Sequence, residues 1–116
     1  MLLKSVMLPS RPVIMILMLV MFLSACSKSS NSTPGANEVF IESFSFTPST
    51  ITVAVNTTIT WTNKDGIAHT VTSDEALFDS GTVNPKGTYT HQFTSLGTFS
   101  YHCTIHPTMT GKVVVQ

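Results

Sequence analysis

The segment Tyr101-His102-Cys103-Thr104-Ile105-His106-Pro107-Thr108-Met109 sets a thiol, an imidazole and a thioether at three-residue intervals. A second imidazole, His69, stands upstream in Ala68-His69-Thr70-Val71-Thr72. Thiolate and thioether are soft donors, whereas imidazole suits metals of intermediate character. Two His, one Cys and one Met together point to copper, because a trigonal His2Cys plane with a long axial Met is the geometry of blue electron-transfer sites that cycle between Cu(I) and Cu(II).

Each residue alone has a plainer reading. A free cysteine is commonly a small buried core residue, and a methionine more often packs than ligates. Cys103 and His106 could form a nucleophile pair, but no orienting acid or oxyanion motif accompanies them. Structural zinc favours several Cys and His and seldom uses Met. The four donors also fill a coordination shell, whereas a catalytic metal keeps a position open for water or substrate. No catalytic residue and no enzyme activity are therefore expected. The elements on either side must hold these donors rigidly, since a carrier reorganises little between redox states.

The chain begins with Lys4 and Arg11 and continues into an apolar run from Val13 to Leu23 that breaks at Ser24-Ala25-Cys26. This matches an export signal and is short for a membrane span. Leu23-Ser24-Ala25-Cys26 resembles the lipobox of bacterial lipoproteins, so residues 1–25 are expected to be a signal peptide and Cys26 the lipidated N-terminus. Residues 26–37, small and polar, are expected to be a flexible tether. The mature chain would be exported and lipid-anchored, facing the periplasm or the cell exterior. Cys103 is then the one remaining thiol in an oxidising compartment, vulnerable unless buried or metal-bound. Six carboxylates face four lysines after Lys4 and Arg11 are removed, a balance that excludes nucleic-acid binding.

Residues 38–116 are expected to form one small domain. Runs rich in Thr, Val, Ile and aromatics cover Val39–Phe44, Ile51–Val55, Thr58–Thr62, His69–Thr72, Thr88–Phe93, Thr98–Cys103 and Lys112–Val115, separated by turns such as Lys64-Asp65-Gly66, Pro85-Lys86-Gly87 and Leu96-Gly97. The pattern predicts an all-β Greek-key sandwich or barrel of about seven to eight strands. In Thr58-Ile59-Thr60-Trp61-Thr62 alternation sends Ile59 and Trp61 inward. Parity likewise puts Phe99, Tyr101 and Cys103 on the inner face and His102 outside. His91, in step with Tyr89 and Phe93, is expected to be a partly buried structural histidine. Asp74, Glu75 and Asp79 are expected to be surface loop charges.

Trp61-Thr62-Asn63-Lys64-Asp65 leading to His69-Thr70-Val71, then Gly97-Thr98-Phe99-Ser100-Tyr101-His102-Cys103, His106-Pro107, Met109 and Gly111-Lys112-Val113, resembles the cupredoxin family in its plastocyanin, pseudoazurin and amicyanin branch. The short spacing from His106 to Met109 is most similar to amicyanin. The resemblance covers nearly all of the domain and none of the leader. It implies one copper ion held by His69, Cys103 and His106 in the plane and Met109 on the axis. It also implies a backbone N–H from Thr70 to the Cys103 sulfur, with Asn63 and Thr104 tying the ligand loops together. Many relatives carry Asn at the Thr70 position, so the side-chain bond made there is expected to be weaker or absent.

The function implied is single-electron transfer between redox proteins outside the cytoplasm, with a cytochrome or a periplasmic oxidoreductase as donor or acceptor and the carrier a monomer. Electrons would leave by the His106 edge, within an apolar rim drawn from Ile67, Ala68, Pro85, Pro107 and Thr108, or through Cys103 to His102. The alternative is a lipoprotein that buffers or delivers copper; a metal-free adhesive sandwich would bind none.

Overall fold

The computed structural model describes residues 32–116; the expected leader, Cys26 and the tether as far as residue 31 lie outside the described residues. Among the described residues there is no helix. Eight strands follow in order: β1 Glu38–Glu42, β2 Ser45–Thr47, β3 Thr50–Val53, β4 Thr57–Asn63, β5 Thr72–Ser73, β6 Thr88–Phe93, β7 Gly97–His102 and β8 Thr110–Val115. They form two four-stranded sheets, β2-β1-β4-β6 and β3-β8-β7-β5. β1 runs parallel to β4 and β3 parallel to β8, while the remaining pairs are antiparallel.

Alternation accounts for the core. On β4, Ile59 and Trp61 are sealed from solvent while Thr58 and Thr60 face outward, as the two-residue period of a strand requires. Trp61 lies 5.6 Å, ring centre to ring centre, from both Tyr89 on β6 and Tyr101 on β7, so it bridges the two sheets. Burial pushes the Tyr101 hydroxyl up to about 12. Neither Tyr101 Oη nor Trp61 Nε1, both buried, makes a hydrogen bond among the described residues. Gly111 on β8 lies under Tyr101, where an added Cβ would stand 2.5 Å from the ring carbon Cζ.

Two expected strands are corrected. The run Val39–Phe44 ends as a strand at Glu42, because Ser43 (φ 51°) and Phe44 (φ 57°) take left-handed backbone and reverse the chain into β2, a strand the sequence reading omits. The run His69–Thr72 is mostly not ladder: His69 makes an isolated bridge to Val83, and only Thr72 of the run, with Ser73, pairs as β5.

Candidate metal centre

The ends of β4 and β7 deliver the donors. β4 finishes at Asn63, whose side chain folds back into its own loop: Nδ2 donates to the carbonyls of Ile67 (2.8 Å) and Val83 (3.0 Å), and Oδ1 accepts from Asp65 N–H (2.9 Å). Those bonds shape the loop that ends at His69. β7 ends at His102, and the next loop closes on itself through Met109 N–H to His106 O (2.9 Å) and Cys103 N–H to Met109 O (3.1 Å).

His69 Nδ1 lies 3.8 Å and His106 Nδ1 3.7 Å from Cys103 Sγ, and the three atoms fall within 4.8 Å of one another. With metal–sulfur and metal–nitrogen bonds of about 2.3 and 2.0 Å, a trigonal angle separates sulfur from nitrogen by about 3.7 Å. The donor set therefore fits a trigonal metal ion. His69 and Cys103 are fully buried, Met109 is 4% exposed and His106 is half-buried.

Thr70 N–H donates to Cys103 Sγ (3.3 Å), tying the His69 loop to the sulfur. The Thr70 hydroxyl is a hub rather than a weak link: its Oγ1 accepts Thr104 N–H at 2.8 Å and lies 3.1 Å from Thr104 Oγ1 and 3.0 Å from Thr72 Oγ1. This departs from the expectation of a weak or absent side-chain bond. A hydroxyl set close to the neighbouring loop spans the gap without a longer amide.

Two participants had no part in the sequence reading of the site. Asp65 Oδ2 stands 2.8 Å from His69 Nε2. A carboxylate only accepts, so Nε2 carries the hydrogen and Nδ1 keeps its lone pair toward Cys103. Burial acts to raise the Asp65 carboxyl, but N–H bonds from Phe44 and Ser43 and the His69 contact outweigh it and hold it below the usual carboxylate range. Phe44 sets its ring edge-to-face against His69 (5.8 Å) and His106 (5.1 Å) while remaining 55% exposed. Asp65 falls four residues before His69, a spacing that could have drawn notice; Phe44 carries no local signal.

The expected rim residues Ile67, Pro85, Pro107 and Thr108 are exposed and Ala68 is half-buried; Phe44 and Ile105 add apolar exposed surface beside His106. His102 points outward, and its Nδ1 pairs with Asp74, so Asp74 is an exposed charge with a partner. His91 is half-buried against Phe78 (4.8 Å) and Phe93 (4.9 Å), and burial lowers its pKa.

Comparison with known proteins agrees with this geometry. Residues 13–115 match the family model of the cupredoxin-like domain. Amicyanin from Paracoccus denitrificans is 36% identical over 87 residues, 71% of this chain; the chain spans 66% of that protein's length, just under two thirds. A solved structure titled as the reduced Cu(I) form of an amicyanin mutant superposes with a TM-score of 0.66 at 34% identity, covering 75% of this chain and 88% of the other. A purple cupredoxin from Nitrosopumilus maritimus gives 0.64 at 28% identity, over 68% and 98%. By strand order, donor geometry and sequence alike, the chain belongs to the cupredoxin family.

Proposed function

We propose that this cupredoxin is a type 1 copper protein that carries single electrons between redox partners outside the cytoplasm, tethered to a membrane through Cys26. The observation that carries the reading is the triangle of His69 Nδ1, Cys103 Sγ and His106 Nδ1 at trigonal separations. A copper ion bound there supplies the Cu(I)/Cu(II) couple. His69, Cys103 and His106 would be the equatorial ligands and Met109 the axial one. Thr70, through its N–H to the thiolate and its hydroxyl to Thr104, would keep both loops in place between redox states. With four protein donors no position stays open for substrate, so the reading contains no catalytic step.

The half-buried His106, with exposed Phe44 set edge-to-face against its ring and exposed Ile67 and Ile105 on the two ligand loops, supports electron exit by that route. An apolar patch of modest size suits weak, rapid encounters with a donor and an acceptor. His102, next to Cys103 along the chain and paired outward with Asp74, supports the second exit.

The decisive experiment is the visible and EPR spectrum of the domain from Ser27 onward with about one equivalent of Cu(II), beside a Cys103→Ser control. An intense thiolate-to-copper band with narrow hyperfine splitting, lost in the control, is expected. A pale tetragonal signal that the control leaves intact would overturn the type 1 assignment. Ready release of copper to an apo partner, without reversible redox, would replace the carrier with a copper-delivery protein. Cys26→Ser is expected to free the protein from the membrane fraction; retention there would refute the lipid anchor.

A further inference from the structure

The β1–β2 turn is hydrogen-bonded to the metal centre through the Asp65 carboxylate. Asp65 accepts Ser43 N–H at Oδ1 (2.7 Å) and Phe44 N–H at Oδ2 (3.1 Å), and Oδ2 also receives His69 Nε2–H at 2.8 Å. Asp65 is itself held from behind by its N–H bond to Asn63 Oδ1 at 2.9 Å. Both residues whose N–H groups it collects lie in the left-handed region, at φ 51° and 57°. For Phe44, a bulky side chain, that conformation is strained and persists only where its surroundings hold it. The reward of the strain is position: the Phe44 ring lies near-perpendicular to both imidazoles, at 86° to His69 and 88° to His106, with more than half its surface open to solvent.

We propose that Asp65 is a positioning residue that couples the exit surface to the metal centre, fixing the His69 tautomer with one oxygen while holding the turn that lays Phe44 across both histidines. Its charge acts on His69, its geometry on Phe44. A partner that docks on Phe44 therefore presses on a residue whose backbone is bonded to the same carboxylate that orients a ligand. The electron-transfer part of this inference rests on the function proposed above; the tautomer and the turn do not.

The test uses the full-length chain in metal-free and copper-loaded forms, comparing Asp65→Asn, Asp65→Glu, Phe44→Leu and, as a charge control, the exposed Glu75→Gln. In the metal-free protein, Asp65→Asn is expected to move the His69 imidazole 15N shifts away from a pure Nε2–H tautomer. Amide exchange at Ser43 and Phe44 is expected to quicken by about tenfold or more. With copper, the same variant is expected to raise the reduction potential, because a negative charge that favours the oxidised ion is gone. Asp65→Glu is expected to restore the tautomer and most of the potential. Glu75→Gln is expected to change none of these, and Phe44→Leu to slow electron self-exchange while leaving the tautomer intact. Unchanged tautomer and amide exchange in Asp65→Asn would overturn the proposal. Should that variant not fold, an Asp65→Glu protein with a mixed His69 tautomer at full stability would overturn it equally. A wild-type chain without the blue band would sink the copper reading alone, since the metal-free measurements stand apart from it.

Discussion

Tyr101 packs over Gly111 so closely that position 111 has no room for a side chain, and each residue makes a sharp statement about stability. Among the described residues the Tyr101 hydroxyl is buried without a hydrogen-bond partner, and such a group costs about 1–3 kcal/mol relative to one that stays hydrated. Tyr101→Phe keeps the ring against Trp61 and Phe46 and is expected to raise stability by about 1 kcal/mol, measured by urea unfolding. Gly111→Ala should do the reverse. Its Cβ would meet Tyr101 at 2.5 Å from Cζ and 2.6 Å from Oη, an overpacking that costs about 1–3 kcal/mol. For a domain of this size each kcal/mol lost lowers Tm by about 4–8 °C. The two changes share atoms, so the double variant should be less unstable than the sum of the single ones, a coupling that a mutant cycle measures directly.

At the scale of elements, the ligand loops depend on one hydroxyl. Thr70→Val keeps the backbone N–H on Cys103 but leaves Thr104 N–H without its acceptor. The expected outcome is a loss of about 1–3 kcal/mol with the thiolate–copper band retained, checked by thermal unfolding and absorption together. β6 gives a pH signature through His91, which burial holds below its ordinary pKa. The unfolded chain then takes up that proton at higher pH than the native one, so stability falls as pH drops below about 6.5. His91→Gln should flatten that limb of a stability–pH curve. Long, alternating strands such as β4 and β6 were legible in the sequence because pleating forces their pattern. β2 and β5, of three and two residues, are too short to carry one. The break at Ser43 and Phe44 was hidden because Phe favours a strand, and the Asp65 carboxylate that accepts both of their N–H groups lies far along the chain. In the site, Cys103, His106 and Met109 were visible because they share one loop, whereas Phe44 joins it only through folding.

For the whole molecule, the question is whether the metal builds the site or occupies one already built. A domain of about 80 residues is near the size at which a core alone suffices, so dependence on metal would be no surprise. Yet the bonds that shape the site do not involve a metal: Asn63 fixes the His69 loop, Thr70 joins it to the Cys103 loop, Asp65 orients His69, and Met109 closes its own loop through backbone bonds. Fifteen described residues from both sheets and the loops between them, Cys103 and Met109 among them, pack into one hydrophobic cluster beneath. Such an arrangement predicts a folded metal-free protein whose far-UV circular dichroism equals that of the copper form. Copper should then act by mass action on the native state alone, raising Tm with concentration and adding about 4 kcal/mol when free metal stands a thousandfold above its Kd. The increment should shrink in Cys103→Ser, which removes a ligand while leaving the rest of the cluster in place. An unfolded metal-free chain that gains strand structure only on adding copper would show instead that the loops are ordered by the ion, and that rigidity between redox states is imposed by the metal rather than by the sandwich.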